Sequence, residues 1–342
     1  MRATVDRPGL DSQGRSPLIK IRRVRKGDLA KVREVIEQAF GDLFERQMGS
    51  RPRQVFGGAQ YVHHRWLMEP WGCFVAEEGE GKLVGAALAV MWGSLGLVGP
   101  VAVLPNYQNQ RIGQQLLLAC DGFFEENHST LQGVATYSHS PRHLMFYQKL
   151  GYRPRHLVVI TARALDRREA APASKAARPA VSVVRFSTLE ETRKKAALAK
   201  LRRVTNAILR GMDVAKEIEI VDGLALGDTL ILEKGRSVVG FALYHVPGVS
   251  EAPHGAVYVK FLAIDPAQRR PEHFQALLGA VEEVALGLQV PRVVAPVSTA
   301  YWAAYQGLLD RGYRIDFTMI LMKRGKQIPE EDPADLVLDD WR

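Results

Sequence analysis

The chain has 342 residues, more than a single domain of ordinary size holds, so we expect two domains, each with its own core. Its 46% hydrophobic and 24% charged residues exclude a disordered or fibrous class and favour a globular one. Only two cysteines occur, Cys73 and Cys120, which excludes a disulfide framework and favours a reducing compartment. The N-terminal segment lacks the apolar run of a secretory signal, so we expect a cytoplasmic protein.

The net charge of +9 lies mainly in the first half of the chain. Residues 1–165 hold 21 Lys and Arg against 14 Asp and Glu, a net +7, whereas residues 181–342 hold 21 of each. A basic half can attract nucleic acid, a membrane surface or a polyanionic cofactor. No long basic run with interleaved aromatic residues occurs, so nucleic acid is the weaker interpretation.

The first elements can be predicted in chain order. Residues 1–17 show no pattern and are predicted to be disordered. Residues 19–24 alternate as a strand does, and Asp28 is placed to cap an amphipathic helix that runs to about Phe40. Residues 41–72 are polar and aromatic, and their pattern predicts neither a helix nor a strand.

An uncharged stretch follows at residues 83–104 and is long enough to cross a bilayer. Its glycines and proline favour instead two buried strands joined by a turn near Gly93. A helix is predicted over residues 114–127. A second helix begins after Ser140, because Ser followed by Pro is typical of an N-cap and a first helical position. A strand over residues 157–164 closes this half.

The same order of elements returns after a linker. Residues 166–180 are rich in Ala, Pro and charge and predict an exposed linker. Pro105 and Pro266 lie 161 residues apart, and so do Gly151 and Gly312, each glycine being followed by Tyr and Arg. Two distant pairs at one offset indicate an internal duplication.

A polar turn lies between a strand and a helix in VLPNYQNQRIGQQLL, residues 103–117. The unpaired amides and the dipole of a helix N-terminus attract phosphate there. Gly113 allows close backbone approach, Arg111 can pair with phosphate oxygens, and Gln108 and Gln110 can donate hydrogen bonds. The turn is neither a Walker loop nor a dinucleotide fingerprint. Such a turn is also an ordinary connection, so on its own it leaves both interpretations open.

The stretch LVGPVAVLPNYQNQRIGQQLL, followed by SPRHLMFYQKLGYRPR, resembles the GNAT acetyltransferase superfamily. That family binds acetyl-CoA at a Q/R-x-x-G-x-G/A turn after its fourth strand, and here Arg111 stands where the first glycine is usual. The resemblance covers residues 19–164. It implies an α+β fold of two tandem GNAT-like domains, each a mostly antiparallel sheet flanked by helices. Residues 18–165 would be the catalytic domain and residues 181–326 a degenerate one.

The resemblance also implies acetyl-CoA as co-substrate. A splayed strand would pair its exposed backbone with the pantetheine arm, and the amides of the turn would hold the diphosphate. Ser140 stands where many relatives have an asparagine that contacts the cofactor. The cofactor-binding residues carried over from the family are Val101, Ala102, Val103, Gln108, Asn109, Gln110, Arg111, Ile112, Gly113, Gln114 and Ser140.

The family transfers the acetyl group by direct attack of an amine on the thioester. The acceptor would be a primary amine of a small molecule or peptide, and we assign no metal ligand. Tyr147 matches the family's tyrosine that protonates the leaving thiolate. A phenol with a pKa of about 10 stays protonated at neutral pH and can donate this proton. Alternatively, its ring only packs in the core. His139 and His143 are candidates for a base, although a water chain is an alternative.

The second half departs from the cofactor motif. At the offset of 161, Glu272 and Phe274 stand at the positions of Arg111 and Gly113, directly after Pro271. A carboxylate repels phosphate, a phenyl ring crowds it, and proline removes a backbone donor. We therefore expect no cofactor site in this half.

Two further expectations concern the end of the chain and the function. Leu308 stands at the position of Tyr147, and residues 327–342 are acidic and predicted to be a loose tail.

Two alternatives to catalysis stay open. The chain could be a non-catalytic acyl-CoA-binding or regulatory protein, or a basic protein associated with nucleic acid. Membrane association is not expected.

Overall fold

The computed structural model describes residues 18–50, 57–79, 81–166 and 181–342. The segment predicted to be disordered and all but the first residue of the predicted linker lie outside these ranges. The elements of the first half are β1 (Ile19–Arg23), α1 (Leu29–Met48), α2 (Tyr61–Met68), β2 (Cys73–Glu78), β3 (Lys82–Trp92), β4 (Leu95–Val103), α3 (Ile112–Glu126), β5 (Leu131–Tyr137), α4 (Pro141–Gln148) and β6 (Arg153–Ala164).

The second half repeats this order and adds one strand. Its elements are β7 (Ser182–Arg185), α5 (Glu191–Ile208), α6 (Ala215–Gly223), β8 (Gly227–Lys234), β9 (Ser237–His245), β10 (Val257–Ile264), α7 (Pro271–Gly287), β11 (Arg292–Ser298), α8 (Trp302–Asp310), β12 (Arg314–Gly325) and β13 (Val337–Asp339). The repeated order agrees with the predicted duplication.

The uncharged stretch forms the buried strands β3 and β4, as the glycines predict. Every residue of β3 except Lys82 is buried, since helices cover both faces of this part of the sheet. The stretch without a prediction contains the end of α1 and all of α2. No helix in the described part of the chain is both long and apolar enough to cross a membrane.

All strands of the described residues belong to one sheet. Twelve run in the order β1-β2-β3-β4-β5-β12-β6-β11-β10-β9-β8-β7, and β13 pairs with β10. The pairs β4–β5 and β10–β11 are parallel, and the other strand pairs of the described residues are antiparallel. The predicted mixed α+β fold with a mostly antiparallel sheet is therefore confirmed, although the two halves share one sheet instead of having one each.

The two halves exchange their last long strands. β12 of the second half lies between β5 and β6, and β6 of the first half lies between β12 and β11. The exchange is extensive, because β12 pairs with β5 from Met319–Tyr137 to Gly325–Leu131. Each half thus completes the sheet of the other.

The predicted loose tail is wrong. Val337–Asp339 forms β13, which pairs antiparallel with β10 opposite Phe261–Ala263. Leu338 is buried, and the Trp341 indole donates to Asp339 Oδ2 at 2.7 Å. The acidic composition concealed a short apolar run, Leu336 to Leu338, that packs on the sheet, while the carboxylates find partners inside the protein.

Candidate active site

A cleft opens where β4 leaves β5. The two strands pair only from Leu95–Leu131 to Leu97–Gly133. Beyond this point the pairing of β4 with β3 shifts by one residue between Val98 and Val101. An extra residue in one strand bends it and increases its twist. The end of β4 therefore separates from β5, as the family resemblance predicts.

The backbone of β4 has a defined open edge in this cleft. The Leu104 amide donates to the Val84 carbonyl at 2.9 Å, so Leu104 faces β3. Because successive residues of a strand point their backbone groups in opposite directions, Val103 and Val101 face the cleft and Ala102 faces β3. Two of the three predicted strand residues thus present amides to the cleft, whereas Ala102 does not.

The turn after β4 contains two residues in the left-handed region. Asn109 has φ 65° and Arg111 has φ 62°, a conformation that costs a residue other than glycine about 1–2 kcal/mol. Arg111 therefore adopts the backbone that a glycine would adopt at this position. Such outliers cluster at ligand sites, and left-handed residues in turns build backbone concavities for anions.

The helix after the turn begins without a side-chain cap. Arg111 is the N-cap of α3 and makes no capping hydrogen bond with its side chain. Ile112 is buried and anchors the helix, while Gln114 is exposed. A Cβ on Gly113 would lie 3.5 Å from the Phe146 ring, so α4 packs close to this helix end. The unpaired amides and the helix dipole suit an anion.

The side-chain amides of the turn are already used within it. Gln108 Nε2 donates to the Val103 carbonyl at 3.0 Å, and Gln110 Nε2 donates to the Asn106 carbonyl at 3.3 Å. These two groups hold the turn in shape instead of pointing at a ligand. The predicted role of these glutamines as phosphate donors is thus not visible in this structure.

A second cation, which the sequence reasoning missed, lies beside the turn. Arg142 of α4 donates from Nη2 to Gln108 Oε1 at 3.3 Å and to Asn109 Oδ1 at 3.2 Å. The residue is exposed, so other guanidinium donors stay available to an anion. Its position directly after the Ser-Pro cap, which carries the family resemblance, was the available signal.

Tyr147 lies in the contact between α3 and α4. Its ring packs edge to face against Phe146 at 5.0 Å and against Tyr152 at 6.0 Å between centroids. Only 7% of the residue is exposed, and burial raises the pKa of its hydroxyl. A phenol in this environment is fully protonated at neutral pH, as a proton donor must be.

Ser140 and His143 meet at the start of α4. Ser140 is the N-cap, but its hydroxyl makes no bond to the first-turn amides and lies 2.7 Å from His143 Nδ1. The predicted side-chain cap is therefore absent. Burial lowers the pKa of His143, with smaller effects of Arg142 and His139. A neutral imidazole at this position can accept a proton.

The second half contains the same divergence of strands, but here the chain fills it. β10 pairs with β11 only at Val257–Val293 and Tyr258–Val294. β13 then pairs with the edge of β10. Phe274 is buried, and its ring lies 3.1 Å from where a Cβ of Gly307 would be. The cleft of this half is closed by a strand and a phenyl ring.

Comparisons with known proteins agree with this geometry. Residues 69–154 match the family model described as "Acetyltransferase (GNAT) domain". A comparison with curated proteins found no match. The match lies within the predicted first domain, and for these residues it confirms the resemblance to the GNAT superfamily.

Solved structures with similar folds cover nearly the whole chain. One is a putative acetyltransferase from Pyrococcus horikoshii, with TM-score 0.66, 14% identity, and 94% of this chain and 95% of that chain covered. Another is a GCN5-related N-acetyltransferase from Sphaerobacter thermophilus, with TM-score 0.59, 13% identity and coverage of 92% and 98%. A tandem GNAT protein from the clavulanic acid biosynthesis pathway gives TM-score 0.54, 12% identity and coverage of 91% and 100%. The chain thus has the tandem GNAT fold.

Proposed function

We propose that the chain is an acetyl-CoA-dependent N-acetyltransferase that uses the cleft of its first half. The acceptor is a primary amine of a small molecule or a peptide. The observation that carries this proposal is the difference between two copies of one cleft. In the second copy β13 and Phe274 fill the space, whereas in the first copy the strand edge pairs with no strand of the described residues beyond Leu97.

The open copy offers the groups that the co-substrate needs. Val101 and Val103 present backbone groups that can pair with the pantetheine amides as a strand would. The first-turn amides of α3 and the guanidinium groups of Arg111 and Arg142 suit the diphosphate. Gly113, at the second helical position, has no side chain and therefore lets the diphosphate approach the backbone closely.

The transfer itself requires three groups around the thioester. The amine attacks the carbonyl carbon, and amides on the open edge of β4 stabilise the negative charge that develops on its oxygen. Tyr147 donates a proton to the sulfur as the carbon–sulfur bond breaks. His143, kept neutral by burial, accepts the proton that the amine loses.

Calorimetry with coenzyme A and an assay of thiol release from acetyl-CoA across a panel of amines test the proposal. We expect coenzyme A to bind to the folded chain and at least one amine to cause thiol release. A folded sample that takes up no coenzyme A contradicts the cofactor site. Binding without release for every amine contradicts the transfer and favours a non-catalytic acyl-CoA-binding protein.

A further inference from the structure

A second group of polar side chains lies buried where the two halves meet. His64 comes from α2, Glu217 from α6, His245 from the end of β9 and Glu251 from the loop after it. The two histidines are 0% exposed and Glu217 is 1% exposed, while the side chain of Glu251 is 7% exposed. One residue of the first half thus meets three of the second.

Three of the four side chains bring a ligand atom close to a common point, and His64 contacts one of them. His64 Nε2 lies 2.9 Å from Glu217 Oε1, and His245 Nδ1 lies 3.6 Å from Glu251 Oε1. The ring centroids of the histidines are 5.5 Å apart. One ligand atom each of Glu217, His245 and Glu251 lies within 4.8 Å of the others. Small side-chain movements would bring these three atoms to the distances at which zinc binds nitrogen and oxygen ligands, with His64 directly beside Glu217.

Three ring nitrogens of this group have no hydrogen-bond partner among the described residues. His64 Nδ1 and both ring nitrogens of His245 are buried without one, whereas His64 Nε2 contacts Glu217 Oε1 and Glu251 Oε1 contacts Lys260 Nζ. Buried polar atoms in folded proteins are nearly always hydrogen-bonded, and leaving them unpaired is destabilising. Three such atoms in one place call for a further partner.

The outer oxygens of the carboxylates are held in place. Trp92 Nε1 donates to Glu217 Oε2 at 3.1 Å, and Arg65 Nη2 donates to Glu251 Oε2 at 2.9 Å. Each carboxylate thus has one oxygen fixed from outside and the other turned to the centre. Outer partners that orient inner ligands in this way are characteristic of metal sites.

We infer that His64, Glu217, His245 and Glu251 bind one divalent transition-metal ion, with zinc best suited to the set. Two imidazole nitrogens and two carboxylate oxygens complete a four-coordinate site, whereas calcium and magnesium require more oxygen ligands. With four protein ligands no position stays open for a substrate. The ion is structural and ties α2 to the second half. This inference does not depend on the proposed acetyl transfer.

Lys260 is the competing cation. Its Nζ lies 2.9 Å from Glu251 Oε1, 3.3 Å from Asp340 Oδ2 and 3.1 Å from the Arg342 carbonyl. The last two partners remain to it when Glu251 turns to an ion. If Lys260 alone balanced the carboxylates, no ion would be needed.

Metal uptake by the full chain tests the inference. The protein is stripped with a chelator, incubated with zinc or cobalt chloride, and freed of excess metal by gel filtration before metal analysis. We expect one equivalent of either ion per chain, a visible spectrum of tetrahedral cobalt, and a melting temperature that rises with zinc and falls again with chelator. A folded wild-type chain that retains no stoichiometric metal overturns the inference.

Matched variants locate the ion. His245→Gln and Glu217→Gln should lose the retained metal, whereas His63→Gln, which changes the neighbour of His64 on the same helix, should keep it. Equal retention in all three variants overturns the assignment. Lys260→Met removes the competing cation and should slow metal loss to chelator. If the cluster variants fail to fold, the rate of metal loss from Lys260→Met and the metal stoichiometry of the wild type still test the inference.

Discussion

At the scale of single residues, Tyr147 and Tyr152 are a useful pair. Both are buried, their rings are in contact, and burial raises the pKa of each hydroxyl. The Tyr152 hydroxyl is buried without a hydrogen-bond partner in the described chain. The environments match so closely that burial alone does not distinguish a catalytic tyrosine from a core tyrosine. The distinction has to come from activity.

Tyr147→Phe should lower turnover by about 100-fold or more, since a positioned proton donor contributes this much. Coenzyme A affinity, measured by calorimetry, should change little. Tyr152→Phe is the control, because it removes the hydroxyl of an equally buried ring, and its turnover should stay near that of the wild type. Equal turnover in the two variants would show that Tyr147 only packs in the core.

Asp339 makes stability depend on pH. Burial raises the pKa of its carboxyl to about 7, while the unfolded value lies near 4. The folded state therefore binds the extra proton between these values, and Asp339 makes stability fall as pH rises through that window. Asp339→Asn removes the titrating group. Between pH 4 and pH 8, the free energy of unfolding of the variant should rise relative to that of the wild type by up to about 4 kcal/mol.

Urea unfolding at several pH values measures this difference, with Asp310→Asn on the exposed end of α8 as the control. The free energy of unfolding of the control should depend on pH as that of the wild type does. If Asp339→Asn showed the same pH dependence as the wild type, the Asp339 carboxyl would have to be ionised in the folded state over the whole range measured.

Arg111 shows how far residue-level prediction reaches. Its position in the turn identified the motif, and its replacement of a glycine was visible in the sequence. The left-handed backbone that lets an arginine stand in place of this glycine was not visible in the sequence. The propensity of arginine favours another conformation, and the surrounding structure overrides it. The buried cluster around His64 was missed for a related reason. Its members are distant in sequence and come together only where α2 meets α6.

At the scale of elements, the N-terminus of α3 is the part of the site that can be altered most selectively. A Cβ at Gly113 would make only ordinary contact with Phe146 and Val103, at 3.5 and 3.7 Å. A substitution here therefore tests the ligand and not the fold. Farther along the same helix, Gly122 has open space around it, so it offers a matched position.

Gly113→Glu should abolish coenzyme A binding in calorimetry, because it places a negative charge where the diphosphate would lie. Gly122→Glu adds the same charge to the same helix and should bind as the wild type does. Circular dichroism checks that both variants are folded. Undiminished binding by folded Gly113→Glu contradicts the site.

Trp341, just after β13, carries much of the packing of the C-terminal segment. It is 1% exposed, and its ring fills the space that a Cβ of Gly133 would occupy. Trp341→Ala should lower the free energy of unfolding by about 3–5 kcal/mol. The exposed Trp302 is the control, and its alanine variant should cost far less. If urea unfolding shows no decrease in the free energy of unfolding for Trp341→Ala, the C-terminal segment does not pack on the sheet and is a loose tail.

At the scale of the whole molecule, the repeat was predictable and the exchange of strands was not. Paired landmarks at one offset reveal a duplication whatever the arrangement of its copies. β6 and β12, however, are copies of each other, and either one presents a suitable partner to β5 or to β11. Sequence patterns specify that such a strand is buried but do not specify which equivalent neighbour it joins.

The exchange predicts the behaviour of residues 18–165 alone. Without β12 and β11, two strands of this fragment have unpaired edges, which favour pairing with another chain. Light scattering after gel filtration should show dimers or aggregates, and production together with residues 181–342 should restore a soluble pair of the two fragments. A folded monomer of residues 18–165 would contradict this prediction and indicate that β6 takes the place of β12 beside β5.

The strand exchange also orders events on the ribosome. β6 is complete at Ala164, but both of its neighbours, β11 and β12, are made later, from Arg292 onward. The nascent first half must therefore wait with β6 unpaired while more than a hundred further residues are made. The sheet of the first half is therefore completed only after most of the second half has been made, and chaperones that shield open strand edges are the factors on which its yield should depend.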